Sequence, residues 1–254
     1  MTVRVRSTTS TMKDAAALVA RDEPHGTVVV AETQTAGIGR HGHSWHSDSP
    51  GGLYLSIILR LPFAPDALPV LTMALGLAAQ SAVDDLAGVA CDLRWPNDLL
   101  LNEKKLAGMM VQAVDAPSAK GVLIAGIGVN VNQTDFPPDL ASIATSLLIE
   151  TGQEHSKEAL LDRIVAESLK YASLLADRGK APILKRFEAR SSYVRGKAVE
   201  VEAVGRIIAG ITAGLDGNGF LLVETSDGIE TIVAGGVRAQ AMRAQATARK
   251  NVRA

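Results

Sequence analysis

The sequence has little of several features that would indicate an oxidising compartment or a highly charged partner. Cys91 is the only cysteine among 254 residues, which excludes an intramolecular disulfide and indicates a reducing, intracellular setting. The formal net charge of −1 predicts no general attraction to nucleic acid or to an anionic membrane. The N-terminus lacks the apolar segment of a signal peptide, and the longest apolar run, Gly121 to Val131, is too short to span a bilayer. We expect a cytoplasmic protein.

What the sequence does contain is enough apolar material for a full core, since 47% of its residues are hydrophobic. Strands are predicted at residues 26–32, 53–61, 99–101, 106–112 and 121–132, and helices at 13–20, 67–86, 156–178 and 182–191. From Gly196 the pattern changes to short alternating strands at 198–203, 206–215, 220–225 and 229–234, separated by tight turns. We therefore predict a large domain over residues 1–195, a small β-barrel over 196–240 and a basic, partly disordered tail over 241–254. A binding arm is the alternative for the tail.

A glycine-rich loop, Gln34 to Trp45, follows a run of strand-forming residues and reads Q-T-A-G-I-G-R-H-G-H-S-W. Its three glycines allow positive φ and a close approach of the backbone to a ligand, while Arg40 and the histidines suit phosphate or carboxylate oxygens. The spacing matches the dinucleotide fingerprint G-x-G-x-x-G, but no helix begins at the last glycine, which disfavours a Rossmann site. On this stretch alone, a mobile surface loop without a ligand is the alternative.

A second candidate region is Arg94-Trp95-Pro96-Asn97-Asp98, which has turn chemistry at the end of a strand. Taken singly, Asn97, Asp98 and the following Lys105 are equally consistent with plain turn residues. Gly108 argues against that interpretation, because it leaves a gap beside the backbone of the strand that begins just after Lys105.

The stretch Gly121 to Asn132 is predicted to be a buried strand. Alternation places Gly126, Gly128, Asn130 and Asn132 on one face of it. Two glycines followed by two amides do not make a packed core face, so we predict that they form the floor of a ligand site. The alternative is an edge strand relieved by glycine.

Ser10 and Thr11 belong to a cluster of hydroxyl residues directly before a helical stretch. Either residue could be the N-cap of that helix, because a hydroxyl oxygen there accepts a bond from a free backbone N–H. A hydroxyl at a helix start can also face a ligand, so the two roles can coexist.

Four blocks of the sequence together resemble the biotin–protein ligases in order and spacing. They are Gln34–Gly42, Arg94–Asp98, Lys105–Gly108 and Gly126–Asn132. The short strands after Gly196 and the closing Gly235-Gly236-Val237 match as well, so the likeness covers roughly Ser7 to Ala239. The Arg-Trp-Pro-Asn-Asp block with its following Lys-Leu-Ala-Gly is highly specific to that family, whereas the glycine-rich loop alone is not.

The resemblance implies an α/β fold: a mixed sheet flanked by helices, similar to the catalytic core of class II aminoacyl-tRNA synthetases, with a C-terminal Src-homology-3-like barrel. It also implies a two-step reaction with biotin, ATP and Mg²⁺. The biotin carboxylate attacks the α-phosphate to give biotinyl-5′-adenylate and pyrophosphate. A lysine amine of a biotin carboxyl carrier domain, from acetyl-CoA or pyruvate carboxylase, then takes the biotinyl group. Such enzymes occur as monomers and homodimers.

The resemblance further implies residue roles. Lys105 matches the central lysine that contacts both the biotin carboxylate and the α-phosphate, and Arg40 matches an arginine that holds the adenylate. Asp98 is expected to orient the incoming amine or a metal-bound water, and no metal ligand is identified. The expected ligand-binding residues are Ser10, Thr11, Met12, Gln34, Gly37, Ile38, Gly39, Arg40, Trp45, Asn97, Lys105, Gly108, Gly128 and Asn130.

Within that set, Ser10, Thr11 and Gln34 match residues around the ureido ring, whose donors and acceptor must be satisfied in a buried site. Trp45 matches a cover for the valeryl chain, the glycines make room beneath the ligand, and Asn97 and Asn130 lie near the nucleotide. We predict that the glycine-rich loop is mobile without ligand and orders over the adenylate, because water must be excluded from it.

The sequence departs from the family pattern in two respects. Ile38 and His43 stand where the family often has arginine, so Arg40 is the one permanent cation of the loop. In addition, only about nine residues precede Ser10, too few for the winged helix-turn-helix of the repressor members.

Features of the sequence argue against three other functions. A lipoate–protein ligase shares the fold and the adenylation chemistry, but its motifs differ from Arg94–Asp98. A biotin-responsive transcription factor is disfavoured by the lack of a DNA-binding segment and by the near-neutral charge. A non-catalytic binding module is disfavoured by the presence of Lys105 and Arg40.

Overall fold

The computed structural model describes residues 1–114, 121–203 and 205–239. The strands in these ranges are β1 (Thr2–Thr8), β2 (Val28–Gln34), β3 (Gly52–Leu59), β4 (Asp92–Arg94), β5 (Asp98–Leu101), β6 (Lys104–Ala113), β7 (Leu123–Asn130), β8 (Arg195–Ala203), β9 (Arg206–Leu215), β10 (Leu221–Thr225), β11 (Gly228–Ile232) and β12 (Gly236–Ala239). The α-helices are α1 (Thr11–Val19), α2 (Leu68–Ala87), α3 (Leu147–Thr151), α4 (Lys157–Arg178) and α5 (Ala181–Arg190). The tail predicted for 241–254 lies outside the described residues.

The first seven strands form one mixed sheet in the order β1-β2-β3-β7-β6-β5-β4. Strand β1 is parallel to β2, and every other neighbouring pair is antiparallel. The predicted mixed sheet flanked by helices is therefore confirmed. Strand β7 lies between β3 and β6, so the alternative that residues 121–132 form a glycine-relieved edge strand is wrong.

The two faces of this sheet are covered unequally. On one face, the odd-numbered residues of β7 join the main core beneath α2, against which α4 and α5 pack. On the other face, the nine-residue helix α1 covers a second, smaller core that includes Met12, Val29 and Ile124. A helix of that length spans only about 13 Å, so α1 reaches Gly126 through Met12 but leaves Gly128, farther along β7, without a helix over it.

Helix α2 is long and apolar enough to cross a membrane by length and composition, but 72% of its apolar stretch is buried inside the protein. Pro69 lies in its first turn and Gly88 ends it in a left-handed conformation, as expected for a helix with defined ends. We interpret α2 as the central core helix.

The N-terminal region contains one element that the sequence analysis missed. Residues 2–8 form β1, whose Val3 and Val5 alternate with Arg4 and Arg6, a period-2 pattern that was open to recognition. The predicted cap is confirmed as Ser10, whose hydroxyl oxygen accepts from the backbone N–H of Met12 at 3.3 Å. The short helix α3, capped by Ser146, was also missed.

The last five strands form a second, antiparallel sheet in the order β11-β10-β9-β8-β12. The four predicted strands agree with β9 at both ends and with β8, β10 and β11 to within a few residues, whereas β12 was not predicted. This sheet is bound tightly to the first part of the chain: the indole Nε1 of Trp95 donates to Gly219 O at 2.9 Å, and Glu188 Oε1 accepts from Leu215 N at 2.8 Å.

Candidate functional site

Two adjoining cavities lie on the face of the first sheet that α1 leaves open, beside the C-terminal sheet. Their volumes are about 590 and 550 Å³. Both are lined by Trp45, Asn97, Asp98, Lys105 and Arg238, so these residues stand where the cavities meet. The first cavity continues to the start of α1, and the second continues towards Arg94 and the segment around Phe136 and Ile143.

Three glycines make the floor of the first cavity. A Cβ on Gly128 would lie 2.5 Å from Trp45 Nε1, one on Gly108 would lie 2.9 Å from Trp45 Cζ3, and one on Gly126 would lie 2.7 Å from Met12 Sδ. Each distance is too short for real atoms, so any side chain here would displace the residues above it. The floor is glycine because the space over these strands is already occupied.

The inner end of the first cavity is a polar cluster at the start of α1. Gln34 Oε1 accepts from the backbone N–H of Thr11 at 2.8 Å and from its hydroxyl at 3.2 Å, while Ser56 Oγ donates to Thr11 Oγ1 at 2.8 Å. Gln34 is only 8% exposed, and its amide Nε2 has no hydrogen-bond partner among the described residues. A free donor on a residue that lines the cavity can bind a carbonyl oxygen of a ligand.

Where the cavities meet, one carboxylate lies between two cations. Arg94 Nη2 donates to Asp98 Oδ2 at 2.7 Å, and Lys105 Nζ lies 2.7 Å from Asp98 Oδ1 in an ion pair that is not a directed hydrogen bond. Burial alone raises the pKa of the Asp98 carboxyl, but Lys105 and Arg94 lower it by more, so its pKa falls below the ordinary range. Asp98 is therefore ionised at neutral pH, and the three residues carry a net positive charge.

Arg40 joins the glycine-rich loop to this cluster. Its Nη1 donates to Asn97 Oδ1 at 2.9 Å, and Asn97 is itself fixed to β6 because its Nδ2 donates to Met109 O at 3.2 Å. Burial lowers the pKa of the Arg40 guanidinium and the nearby Asp98 opposes that effect, but an arginine stays charged at any ordinary pH. The loop therefore presents a permanent cation to the first cavity.

The glycine-rich loop closes on itself instead of opening a helix at its last glycine. Gly39 N donates to His43 O at 2.7 Å, Trp45 N donates to Gly37 O at 2.9 Å, and residues 40–42 form one short 3₁₀ turn. Gly42 has a φ of 79°, a conformation that favours glycine. The sequence-based rejection of a Rossmann site is confirmed.

The indole ring of Trp45 lies on the glycine floor and faces the Lys105 ammonium, which is 5.3 Å from the ring centroid. Its Nε1 is buried and has no hydrogen-bond partner in the described part of the chain. A buried N–H without an acceptor costs roughly 1–3 kcal/mol, so an oxygen of a bound ligand would stabilise this arrangement.

Most of the residues expected to bind a ligand do come together around the first cavity. They are Ser10, Thr11, Met12, Gln34, Ile38, Gly39, Arg40, Trp45, Asn97, Asp98, Lys105, Gly108 and Gly128. Gly37 is not among them; it packs inside the loop, where a Cβ would collide with Ser47 and with the backbone of Trp45. Asn130 lines only the second cavity.

The two asparagines predicted for the floor have structural partners. Asn130 Nδ2 donates to Thr145 O at 2.9 Å, and its Oδ1 accepts from Gln133 at 3.2 Å. Asn132 lies beyond the end of β7 and exchanges two 2.9 Å bonds with the backbone of His155. The prediction that Asn132 extends the ligand floor is therefore wrong, because its amide is used to hold the chain before α4.

One wall of the cavities comes from the C-terminal sheet, which the sequence analysis did not place at the site. Glu202 of β8 and Gly205 between β8 and β9, together with residues 234–236 and Arg238, line the first cavity. The paired glycines at 235 and 236 are visible in the sequence as a motif. Their position at the cavity depends on the contact between this sheet and Trp95, which no local pattern predicts.

The arrangement offers one polar end with a free amide donor, an apolar stretch lined by Met12 and Trp45, and a cationic junction that opens into a second cavity. Its permanent charges are those of Arg40, Arg94, Lys105 and Arg238, against the carboxylates of Asp98 and Glu202. No group of three or more His, Cys, Asp or Glu side chains that could hold a metal ion occurs in the ranges that the structure describes. Such a site suits an elongated ligand that carries an anion, beside a second, phosphorylated ligand.

Comparison with known families gives two matches that together cover most of the chain. The model of the biotin/lipoate A/B protein ligase family matches residues 3–132, and that of the biotin protein ligase C-terminal domain matches residues 195–237.

Individual proteins are similar over similar lengths. The bifunctional ligase/repressor BirA of Bacillus subtilis is 35% identical over 227 residues, which cover 88% of this chain and 69% of that protein. The biotin–[acetyl-CoA-carboxylase] ligase of Mycobacterium tuberculosis is 31% identical over 217 residues, or 84% and 78% of the two chains. The structure of the biotin protein ligase from Aquifex aeolicus in complex with biotin and ATP superposes with a TM-score of 0.81 at 28% identity, covering 94% of this chain and 98% of that one.

Proposed function

The chain belongs to the biotin/lipoate A/B protein ligase family, and we propose that it is an ATP-dependent biotin–protein ligase. It forms biotinyl-5′-adenylate from biotin and ATP and transfers the biotinyl group to a lysine of a biotin carboxyl carrier domain. The observation that carries this function is Lys105, held by Asp98 at the junction of two adjoining cavities, one available for each substrate.

In the first half-reaction a carboxylate oxygen of biotin forms a bond to the α-phosphorus, and the bond from that phosphorus to the pyrophosphate oxygen breaks. Both reacting groups are anionic, so catalysis depends on charge neutralisation and alignment. We assign this role to Lys105, whose compact ammonium can contact the carboxylate and the phosphate oxygens together. Arg40 adds a second cation from the loop side.

Asp98 is a positioning residue for that lysine and for the later amine. Its carboxylate is ionised and shared between Lys105 and Arg94, which fixes the ammonium at the cavity junction. A carboxyl with a lowered pKa is a poor proton acceptor, so an orienting role suits it better than that of a general base.

We place biotin in the first cavity with its ring at the polar inner end. Gln34 Nε2 is the donor available for the ureido carbonyl, and the hydroxyls of Ser10 and Thr11 lie beside it. Met12 and Trp45 supply apolar surface for the ring and the valeryl chain over the floor of Gly108 and Gly128. ATP then takes the second cavity, next to Arg94 and Asn130.

Mg²⁺ is the cofactor for this chemistry, and when bound it would neutralise phosphate charge. The described residues lack a preformed cluster of metal-binding side chains, and the one junction carboxylate is already paired with two cations. We therefore propose that Mg²⁺ enters on the triphosphate of ATP, with no dedicated protein site.

In the second half-reaction the ε-amine of the carrier lysine forms a bond to the acyl carbon, the bond from that carbon to the AMP oxygen breaks, and a proton is released. The acceptor is the biotin carboxyl carrier domain of a carboxylase such as acetyl-CoA or pyruvate carboxylase. The junction is also lined by Gly235, Gly236 and Arg238, so the C-terminal sheet borders the path of the amine.

The domain organisation and the cellular location are part of the same proposal. We propose a catalytic domain over residues 1–195 and a Src-homology-3-like barrel over 196–240; five short antiparallel strands, with register shifts in the β10–β9 and β8–β9 pairs, support the barrel. A cytoplasmic location is supported by the single, buried free cysteine, Cys91.

A lipoate–protein ligase is the alternative within the same family, and the match to the biotin-type C-terminal domain favours biotin. The test is transfer: the purified chain, biotin, MgATP and a carrier domain, with the mass of the carrier measured. A biotin-sized gain that requires ATP is expected, and Lys105→Ala should lose pyrophosphate release while still binding biotin. No gain with biotin, or a gain with lipoate alone, would contradict the proposal.

A further inference from the structure

The C-terminal sheet has an apolar outer face that nothing in the described part of the chain covers. Seven large apolar side chains are exposed in the described ranges, and four of them, Ile207, Ile211, Ile229 and Val233, belong to this sheet and its loops. Isolated exposed apolar residues need no explanation, but a concentration of them on one face indicates an interaction surface.

The pattern along β9 places three apolar side chains on the outer side of the sheet. Its outward positions are Ile207, Ala209 and Ile211, while Ile208 and Thr212 point into the core. Across the sheet Ile211 pairs with Glu224, and Glu224 pairs with Ile229, so the row that crosses these three strands has Glu224 between its two isoleucines. We call Ile207, Ala209, Ile211 and Ile229 the aliphatic face.

This face begins at the mouth of the first cavity. Ile207 is 71% exposed, and its cross-strand partner Glu202 lines the cavity. Val233 is 56% exposed and directly precedes the cavity-lining residues 234–236, of which Gly236 pairs with Glu202. Two exposed aliphatic side chains therefore adjoin the two C-terminal loops that wall the site.

We propose that the aliphatic face, with Val233, is the docking surface for the carrier domain whose lysine receives the acyl group; this rests on the proposed function. A lysine side chain is short, so the carrier backbone must cover the surface around the mouth while the amine reaches the junction. A typical interface covers roughly 800 Å² on each partner, a disc of roughly 16 Å radius. Ile207 and Val233 fall well inside such a disc, and Ile211 lies roughly 14 Å along β9 from Ile207.

The charges around the face fit this occupant. Glu200, Glu202 and Glu224 lie on the same side of the sheet as the aliphatic face, as their pairing with Ala209, Ile207 and Ile211 shows. Arg238, which pairs with Glu200, is on that side too, so the carboxylates still outnumber it. These carboxylates attract the ammonium of an approaching lysine, while the apolar row supplies the desolvated centre that interfaces need.

The test separates docking from chemistry. Ile207→Glu and Val233→Glu are compared with Ile149→Glu, a control isoleucine on α3 that is 43% exposed and lines neither cavity. Pyrophosphate release with biotin and MgATP reports adenylate formation, and the KM for an isolated carrier domain reports docking. We expect both test variants to raise that KM by about tenfold or more, as for residues central to an interface, with adenylate formation and the control unchanged.

Several outcomes would overturn the proposal. An unchanged KM for the carrier in both test variants excludes this face, and Ile207→Ser repeats the test should the glutamate variant fail to fold. Conversion of a dimer to a monomer by Ile207→Glu, with the KM unchanged, assigns the face to a second copy of the chain. Deletion of residues 240–254 that alone reproduces the rise in KM assigns the effect to the tail. Absence of transfer by the unmodified chain overturns the proposed function and this site together.

Discussion

Replacement of Asp98 by asparagine is the most informative single change at the junction. The substitution keeps the shape of the side chain and removes one negative charge from between Arg94 and Lys105, each 2.7 Å away. Two like charges then face each other without a counter-ion. We expect Lys105 to move, and because misplacement by about 1 Å can cost a hundredfold, kcat for adenylate formation should fall by roughly 10- to 100-fold.

The expected loss of stability in Asp98→Asn follows from how deeply the ion pairs are buried. Removing one partner of a fully buried ion pair costs about 3–5 kcal/mol, because the remaining charge is left without compensation. The side chains of Lys105 and Arg94 keep 31% and 21% exposure, so their charges can partly rehydrate. We therefore expect Asp98→Asn to lower the free energy of unfolding by about 2 kcal/mol at pH 7, below the fully buried range.

The pH dependence gives this prediction a definite sign. The pKa of Asp98 is lowered in the folded state, so its stabilising effect is complete above the unfolded value of about 3.9 and is lost as the pH falls through the folded value. The difference in unfolding free energy between the native chain and Asp98→Asn should therefore be constant from neutral pH to about 5 and should shrink below about 4.

Urea denaturation at a series of pH values measures that difference, and Asp84→Asn is a matched control. Burial raises the pKa of the Asp84 carboxyl, so ionised Asp84 is a cost that protonation relieves. For this control the native chain should gain stability relative to the variant as the pH falls, which is the opposite sign. A difference for Asp98→Asn that grows in acid, or adenylate formation at the native rate, would refute the account of the junction.

Three further changes test other parts of the site. Gly128→Ala would place a Cβ 2.5 Å from the indole of Trp45 and should weaken biotin binding about tenfold by calorimetry, since burying a methyl-sized clash costs about 1–3 kcal/mol; native affinity would contradict the tight floor. Trp95→Phe leaves the carbonyl of Gly219 without its donor and should cost about 1–3 kcal/mol in urea denaturation. An unchanged midpoint would mean that this bond does not fix the C-terminal sheet. Arg238→Gln should raise the KM for ATP by about tenfold, as for loss of one charged hydrogen bond, with a smaller effect on biotin because Arg238 stands where the two cavities meet; an unchanged KM for ATP would contradict its placement.

Local chemistry made much of this fold and site predictable from the sequence. The glycine pattern of the loop, the alternation along β7 and the turn residues around Asn97 each reflect a constraint within a few neighbouring residues. Ser10 was recognisable as a cap because a hydroxyl before a helical run has a defined local partner. Such signals need no knowledge of what lies across the sheet.

The predictions that were wrong or incomplete depended on distant partners. Asn130 and Asn132 have side chains that suit a ligand, and only the fold reveals that Thr145 and His155 already bind them. The bond from Trp95 to Gly219 joins residues 124 positions apart, so no local pattern could place the C-terminal sheet at the cavity. Strand β1 was different, because its alternation was present in the sequence and was overlooked.

Arg238 provides positive charge at the site that the glycine-rich loop lacks. Ile38 and His43 stand where the resembling family often has arginine, which left Arg40 as the only permanent cation of the loop. The fold supplies others, because Arg94 from β4 and Arg238 from β12 line the cavities beside Lys105. These cations come from paired strands, whereas the loop is held by a few bonds of its own. Charge placed on a sheet is preorganised for phosphates, so we expect the loop of this protein to contribute less charge and mainly to cover the adenylate.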